Sequence, residues 1–299
     1  MTHPSLLAPE WVDWLSENLS RDCDPDELYQ IMLIKGVTAP AAQSALATLQ
    51  AQRRHTELFA NTQPEAPVIF SVAPKPPAAT PELQGPLPKP LMSLPTPHGP
   101  CRATSHVSDP IVVVYDNFMS ADECDALITA AQHVMSPSMT VDDDNGASRL
   151  HPDRTSQGMF FIRGENEMVR NIELRAAALM NLPFEHGEGI QVLNYRLTGE
   201  YRPHFDYFPP ERHGSYRQML QGGQRVATLI MYLNEVEAGG ETIFPELKLS
   251  VVPKKGSAVY FSYYDPTTGE IDPRSLHGGA PVTAGEKWIA TKWVRQYVY

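Results

Sequence analysis

Prolines are concentrated in one stretch of this 299-residue chain, between positions 64 and 100. Proline has no backbone N–H and fixes the angle φ, so such a stretch forms neither a helix nor a sheet of its own and is extended, partly as polyproline II. The stretch predicts a division of the chain into an N-terminal module at residues 1–60, a proline-rich linker at 61–106 and a main domain at 107–299.

The N-terminal module has the pattern of short amphipathic helices. Apolar residues recur every three or four positions between Trp11 and Leu19, a second helix is predicted from Pro25 to Gly36, and a third begins near Pro40. This pattern predicts a small all-α module whose tryptophans pack in its core. A docking surface for a partner, or for self-association of the chain, is the alternative, and no residue identifies the partner.

Composition excludes several classes of protein. Hydrophobic residues at 42% and charged residues at 20% are ordinary for a globular chain and exclude a collagen-like or fully disordered one. The net charge of -11 disfavours a nucleic-acid partner, because the surface would repel phosphate. No apolar run has the length of a membrane span, the first residues lack a secretory pattern, and the three cysteines are scattered. We therefore expect a cytoplasmic protein that binds neither nucleic acid nor membrane.

The main domain changes from helices to many short strands. Ser120 and Glu123 form a predicted capping box for a helix that runs to about Val134, and a second helix covers 167–179. The strands that follow are predicted at 190–197, 226–233, 242–244, 247–252, 258–262 and 288–297. This order predicts a mainly β fold with flanking helices, as a sandwich or a barrel that helices cover on one side.

Two histidines and a carboxylate are the candidate metal ligands. His204 and Asp206 are two positions apart, so on an extended backbone both side chains point to one face. Alone, this pair is more typical of a protein surface. His277 stands before two glycines that allow a tight turn, a position where a surface histidine has no special reason to be.

Lys287 is the residue that indicates which kind of metal site the histidines form. The alternation from 287 to 295 places it on a strand face that is otherwise apolar, where an ammonium must either reach solvent or hold an anion. Two nitrogen ligands and one oxygen ligand leave three open positions on a metal, as in non-haem Fe(II) oxygenases that admit a 2-oxo acid and O₂. Zinc hydrolysis could use the same ligands but has no need of the lysine.

The spaced motifs of the main domain, taken together, resemble the prolyl 4-hydroxylase family of Fe(II)/2-oxoglutarate dioxygenases. The matching segments are 191–195, 204–206, 222–233, 239–245, 272–282 and 285–293, with the start of the domain at 116–118 and 124–128. The resemblance covers roughly residues 108–299 and leaves out the N-terminal module and the linker. It implies a double-stranded β-helix, or jelly-roll, with Fe(II) held by His204, Asp206 and His277.

The resemblance also implies how the cosubstrates bind. Lys287 would pair with the distal carboxylate of 2-oxoglutarate, and Tyr195, nine residues before the first iron histidine, would hydrogen-bond the same molecule. Thr228 and Thr291 are further candidate donors to it. O₂ completes the reaction, and ascorbate is the expected reductant.

Substrate-binding residues follow from the same resemblance. Tyr201, Arg225 and Trp293 match positions that contact the peptide and would line a proline pocket, and Arg154 lies in a segment that resembles a flexible loop on the substrate side. The alternatives are that the aromatic residues belong to the core and that Arg225 is a salt-bridge partner.

The implied activity is hydroxylation of C4 of peptidyl proline, coupled to decarboxylation of 2-oxoglutarate to succinate and CO₂. One alternative keeps this chemistry on a free amino acid, a lysyl side chain or a small metabolite, because fold and ligands alone do not choose the substrate. The other is a non-catalytic binding module in which the N-terminal helices carry the function.

Overall fold

The computed structural model describes residues 11, 14–15, 18–19, 25–35, 37–38, 42, 46, 83, 86–141, 148–150, 155–209, 212, 215, 218–265 and 268–299. The chain forms two compact units, Met1–Pro74 and Lys75–Tyr299. Among the described residues, no helix has the length and the apolar character that crossing a bilayer requires.

The helices and strands of the described residues are as follows. The helices are α1 (Pro25–Ile34), α2 (Ala121–Ala131) and α3 (Glu167–Met180). In chain order, the strands are β1 (Ser93–Leu94), β2 (Cys101–Ser108), β3 (Ile111–Asp116), β4 (Ser136–Pro137), β5 (Met139–Val141), β6 (Ser148–Leu150), β7 (Gln157–Phe161), β8 (Gly187–Tyr195), β9 (Tyr201–His204), β10 (Arg225–Tyr232), β11 (Ala238–Gly239), β12 (Thr242–Phe244), β13 (Leu249–Val251), β14 (Ala258–Ser262), β15 (His277–Gly279), β16 (Val282–Ala284) and β17 (Lys287–Arg295).

The N-terminal unit has its own apolar cluster. It is formed by Leu15, Leu19, Leu28, Met32, Ala42 and Leu46. Trp11 and Trp14 meet edge to face at 5.3 Å between ring centroids and pack against this cluster from its partly buried margin. The predicted end of the second helix at Gly36 and most of the third helix lie outside the described residues, so the all-α module stays a prediction beyond α1.

The predicted end of the linker at residue 106 is corrected by the structure. Strands β1 and β2 pair antiparallel, and β2 continues into a pair with β3, so the chain has entered the main sheet well before residue 106. Leu83, Leu87 and Leu94 pack against the main core. The sequence suggested otherwise because Pro95, Pro97 and Pro100 dominate this segment, yet prolines between short edge strands break no ladder hydrogen bond. The rest of the predicted linker, up to residue 82, lies outside the described residues.

Two antiparallel sheets form the main domain. In the described part of the chain, the larger sheet has the strand order β1-β2-β3-β14-β10-β17-β8-β7-β4, and the smaller has the order β13-β12-β15-β9. Short pairs of β11 with β16 and of β5 with β6 complete the topology. The fold is thus mainly β with flanking helices, as predicted, and corresponds to a jelly-roll domain.

Helices α2 and α3 cover one face of the larger sheet. The predicted capping box is confirmed, because Ser120 accepts from the backbone N–H of Glu123 while the Glu123 carboxylate accepts from that of Ser120. A forked ion pair at 2.8 Å joins Arg175 of α3 to Glu123 of α2. The buried contacts of this face include Leu127, Ile172, Leu179, Ile190, Leu229 and Ala290.

The other face of the larger sheet turns toward the smaller sheet. Its buried contacts include Leu193, Ile230, Phe261 and Ile289 of the larger sheet and Phe244 and Val251 of the smaller one. Because strand side chains alternate between faces, Lys287, Thr291 and Trp293 share this inner face with Ile289, as the sequence predicts. The inner face is where the candidate site residues lie.

Candidate active site

The structure brings the three predicted metal ligands together. Strands β9 and β15 pair so that His204 lies opposite His277, and Asp206 follows two residues after β9 ends. The Nε2 atom of His204 lies 3.6 Å from Asp206 Oδ1, and the Nε2 atom of His277 lies 3.6 Å from Asp206 Oδ2. One ligand atom from each residue lies within 4.8 Å of the other two. Three donors at this separation can share one ion.

Both imidazoles are oriented by backbone of their own strand segments. Nδ1 of His204 lies 2.9 Å from the carbonyl oxygen of Arg202, and Nδ1 of His277 lies 3.0 Å from that of Ser275. A carbonyl oxygen only accepts, so each Nδ1 carries the proton and each Nε2 presents its lone pair toward Asp206. Two neutral imidazoles and one carboxylate are a donor set that suits Fe(II).

Burial and neighbouring charges together set the protonation of His277 and Asp206. It lowers the pKa of His277 from 6.5 to about 4, so this imidazole is neutral at pH 7. For Asp206, burial opposes ionisation, but the positive charges of His277 and His204 in their protonated forms, and of Arg225, hold the pKa of the carboxyl below its usual range. The carboxylate is therefore ionised when the histidines are ready to bind a metal.

Aromatic rings hold the ligands in place. The Tyr201 ring stacks on His204 with centroids 3.5 Å apart and an angle of 19° between the planes. On the other side, the Phe261 ring lies 4.5 Å and the Phe244 ring 5.9 Å from His277. Tyr201 thus contacts a metal ligand directly, at the partly exposed side of the site.

Lys287 is buried on the inner face, with 2% of its surface exposed. It begins β17 opposite Tyr195, and its Nζ atom lies 5.6 Å from the Tyr195 ring centroid and 5.9 Å from that of Tyr232. Burial lowers the pKa of Lys287 from 10.5 to about 8, and the negative charge of Glu241 offsets part of this effect. Within the described part of the chain, the ammonium has no ion-pair partner, so the site is prepared for an anion.

The ammonium lies close to the strand that carries His277. A Cβ atom added to Gly279 would lie 3.7 Å from Lys287 Nζ, and one added to Gly240 would lie 3.3 Å from its Cδ. Two glycines therefore leave the space around the lysine side chain open.

Thr228 and Thr291, the two predicted donors to the cosubstrate, differ in their contacts. Thr228 donates its hydroxyl to Asp206 Oδ2 at 2.7 Å and lies 3.0 Å from the Tyr263 hydroxyl. Its single proton is used in this hydrogen bond, and a contact of Thr228 with 2-oxoglutarate stays a prediction. Thr291 is buried between Gln191 and Ile230 on the neighbouring strands, and its contact with the cosubstrate stays a prediction.

Arg225 is an ion-pair partner, the alternative that the sequence left open. Its Nε and Nη2 atoms donate to the Glu188 carboxylate at 2.6 and 2.9 Å, and Arg295 donates to the same carboxylate at 2.6 Å. The Arg225 guanidinium also lies 4.0 Å over the Trp293 ring. Its Nη1 atom is 3.4 Å from the backbone oxygen of Asp206, so the arginine and the tryptophan flank the metal ligands.

Trp293 and Arg154 are the remaining predicted substrate-binding residues. The indole nitrogen of Trp293 is buried and has no hydrogen-bond partner among the described protein atoms, so it is a donor available to a ligand. Arg154 lies outside the described residues. The adjacent Thr155 exchanges hydrogen bonds with the backbone of Glu200, just before β9.

Sequence reasoning missed the polar residues that support these groups. Glu188 pairs with Arg225, Tyr263 contacts Thr228, and the Tyr232 hydroxyl donates to Thr242 Oγ1 at 2.7 Å. The first two contacts join residues 37 and 35 positions apart, so no local spacing in the sequence predicts them. The signal available was a charged residue in a strand that has no other charged residue, as Glu188 in β8.

Comparison with known proteins finds matches to this chain, and the matching family model lies in the main domain. Residues 190–295 match the family described as the 2OG-Fe(II) oxygenase superfamily. Two relatives from Arabidopsis thaliana are "Probable prolyl 4-hydroxylase 10", 41% identical over 210 residues that cover 64% of this chain and 71% of the relative, and "Prolyl 4-hydroxylase 5", 42% identical over 204 residues that cover 62% and 68%.

Among solved structures, a viral collagen prolyl hydroxylase from Paramecium Bursaria Chlorella virus-1, in a 2OG complex, is 32% identical. It aligns with 62% of this chain and 95% of its own length at a TM-score of 0.49. The identity to the plant relatives extends over more than two thirds of their length. This chain belongs to the prolyl 4-hydroxylase family and is a dioxygenase that depends on Fe(II), 2-oxoglutarate and O₂.

Proposed function

We propose that this protein hydroxylates C4 of proline residues in a peptide or protein substrate. One molecule each of 2-oxoglutarate, O₂ and peptidyl proline would give succinate, CO₂ and peptidyl 4-hydroxyproline. The observation that carries the proposal is the convergence of His204, Asp206 and His277 in the same site as the buried ammonium of Lys287, which has no ion-pair partner among the described residues. Bound Fe(II) would supply the redox chemistry of this reaction, and the protein supplies binding and orientation.

Lys287 fits the distal carboxylate of the cosubstrate. With a pKa of about 8, its side chain is mostly protonated at pH 7 and gains a counter-charge when a dicarboxylate binds. The other end of the cosubstrate would lie at the metal, near His277, whose strand also passes the ammonium at Gly279. Tyr195 and Thr291 lie on the same inner face and are proposed to border this molecule.

The proline pocket is proposed at the partly exposed side of the metal ligands. Tyr201, stacked on His204, and Trp293, stacked on Arg225, offer apolar ring faces that suit a pyrrolidine ring. The indole N–H of Trp293, which has no partner among the described residues, can donate to a peptide carbonyl. Because the ion pair with Glu188 already holds Arg225, the arginine side chain would line the pocket in one fixed conformation and would not form a new ion pair with the substrate.

The direct test uses purified protein with Fe(II), 2-oxoglutarate and proline-rich peptides. We expect each modified peptide to gain one oxygen atom, located on C4 of proline by amino-acid analysis, with succinate formed in equal amount. His204→Ala is the matched control and should abolish both products while the protein stays folded. Hydroxylysine, or conversion of a free amino acid in place of the peptide, would support the alternative substrates.

If the protein is a non-catalytic binding module, no succinate should form above background. Succinate formation that stays at the metal-free background with every peptide tested would show that the barrel does not turn over. The physiological substrate can be sought by a proteome-wide comparison of cells that contain the wild-type protein with cells that contain His204→Ala. Sites of 4-hydroxyproline that are lost in the variant identify the substrate. Such a search needs no prior choice of peptide.

Three expectations about the whole chain stay predictions. They are a cytoplasmic location, ascorbate as the reductant, and a partner or self-association through the N-terminal unit. Fractionation of cells, stimulation of turnover by ascorbate, and the solution mass of the full chain test them in turn.

A further inference from the structure

Asp206 differs from the two histidines in how its side chain is oriented. His204 and His277 lie on paired strands, and each ring is held by a carbonyl two residues earlier in the chain. Asp206 lies beyond the end of β9, outside any strand. A carboxylate there can rotate about its Cβ–Cγ bond unless another side chain fixes it, so its orientation depends on contacts from elsewhere in the fold.

Thr228 makes that contact from the centre of the larger sheet. It lies in β10, between β14 and β17, and is fully buried. Its hydroxyl donates to Asp206 Oδ2, the oxygen that faces His277, at 2.7 Å. A short hydrogen bond to a charged acceptor without competing solvent is among the stronger kinds in proteins.

Tyr263 fixes the direction of this bond. Its hydroxyl oxygen lies 3.0 Å from that of Thr228, and its backbone N–H donates to Val226 of the same strand β10 at 3.1 Å. A hydroxyl has one proton, and the Asp206 carboxylate can only accept. Tyr263 must therefore donate to Thr228, and Thr228 in turn donates to Asp206.

We propose that Thr228 and Tyr263 are positioning residues that hold the Asp206 carboxylate in the orientation required for metal binding. The proposal depends on the proposed function only in that the three ligands bind a metal. Side chains that orient metal ligands change metal affinity by roughly 10- to 100-fold when they are removed. We expect that range for Thr228 and a smaller, several-fold effect for Tyr263, which acts through Thr228.

The fold provides a matched control on the same inner face. The Tyr232 hydroxyl donates to Thr242 Oγ1 at 2.7 Å, so Tyr232 and Thr242 form a second buried tyrosine–threonine pair. This second pair has no hydrogen bond to Asp206 among the described residues. Tyr232→Phe removes the same buried hydroxyl as Tyr263→Phe does, with a similar effect on packing.

The experiment measures Co(II) and Mn(II) affinity of the full chain without substrate, by titration and by the visible spectrum of bound Co(II). Thr228→Val should weaken binding by about 10- to 100-fold and alter the spectrum, Thr228→Ser should restore both, and Tyr263→Phe should weaken binding several-fold. Tyr232→Phe should bind like the wild type. The melting temperature of each metal-free variant shows whether it is folded.

Equal metal affinity of Thr228→Val and the wild type would overturn the proposal. If Thr228→Val does not fold, Tyr263→Phe against Tyr232→Phe decides by the same criterion, and equal affinities would again overturn it. A wild-type protein that binds neither metal would contradict the metal site itself, and so the proposed function, which is a separate outcome.

Discussion

Replacement of Lys287 by methionine should move stability and cosubstrate binding in opposite directions. Methionine keeps the apolar stem that packs between the sheets and removes the ammonium, which is 2% exposed and has no ion-pair partner among the described residues. In the protein without cosubstrate this buried ammonium lowers the free energy of unfolding. In the proposed complex with 2-oxoglutarate it would be the counter-charge of a carboxylate.

The magnitude of the cost follows from the pKa. Burial lowers the pKa of Lys287 from 10.5 to about 8, and at about 1.4 kcal/mol per unit this corresponds to roughly 3 kcal/mol. Below pH 8 the lysine is charged in both the folded and the unfolded chain, so the full penalty acts. The penalty fades as the pH rises from 8 to 10.5. Lys287→Met should therefore raise the free energy of unfolding at pH 7 by up to about 3 kcal/mol.

The same substitution should weaken cosubstrate binding. Loss of one partner of a buried charge pair costs roughly 2–5 kcal/mol, which is about 30-fold to several thousand-fold in affinity. Urea denaturation without cosubstrate gives the stability, and calorimetric titration of the Mn(II) protein with 2-oxoglutarate gives the affinity. Both are measured on the full chain at pH 7.

Lys292 is the control on the same strand. It faces the opposite side of the sheet, where its Nζ lies 2.6 Å from the carboxylate of Glu173. Lys292→Met leaves that buried carboxylate unpaired and should lower the free energy of unfolding by roughly 3–5 kcal/mol without changing cosubstrate affinity. The reasoning is refuted if Lys287→Met is less stable than the wild type and binds 2-oxoglutarate equally well.

Three further predictions concern the same domain. The affinity for 2-oxoglutarate should fall as the pH rises above about 8, because Lys287 then loses the proton that attracts the carboxylate; titrations from pH 6.5 to 9.5 measure it. Gly278→Ala should weaken metal binding and lower the melting temperature, because the added Cβ would lie 2.8 Å from the backbone oxygen of Tyr201 and separate β9 from β15. Glu188→Gln removes the counter-charge of Arg225 and should destabilise the fold by roughly 3–5 kcal/mol. The KM for peptide should rise, and the KM for 2-oxoglutarate should not. An equal rise of both KM values would contradict this prediction.

The long strands were predictable because their residues carry the pattern themselves. Every strand predicted in the main domain overlaps an observed one, and the alternation in β17 correctly placed Lys287 on an apolar inner face. The strands that carry the histidines were not predicted as strands. Pro203 lies within β9, and two glycines make up most of β15, so neither has a typical strand composition, although an edge strand tolerates proline.

Contacts between distant strands were beyond the reach of the sequence. The ion pair of Glu188 with Arg225 and the hydrogen bond of Thr228 with Asp206 depend on which strands are neighbours and in what register. A single sequence contains the residue types but not that register. For Thr228, the sequence predicted a position beside the site but not the hydrogen bond to Asp206.

The pairing of His204 with His277 across β9 and β15 also bears on how the free protein behaves. An ion bound there ties the two ends of a long chain segment, which includes β10 and β14, into a closed ring. Such a clip limits the freedom of the open chain far more than its few contacts suggest. Amide hydrogen exchange in β9 and β15 should therefore slow strongly when metal is added, while α2 and α3, across the larger sheet, should respond little.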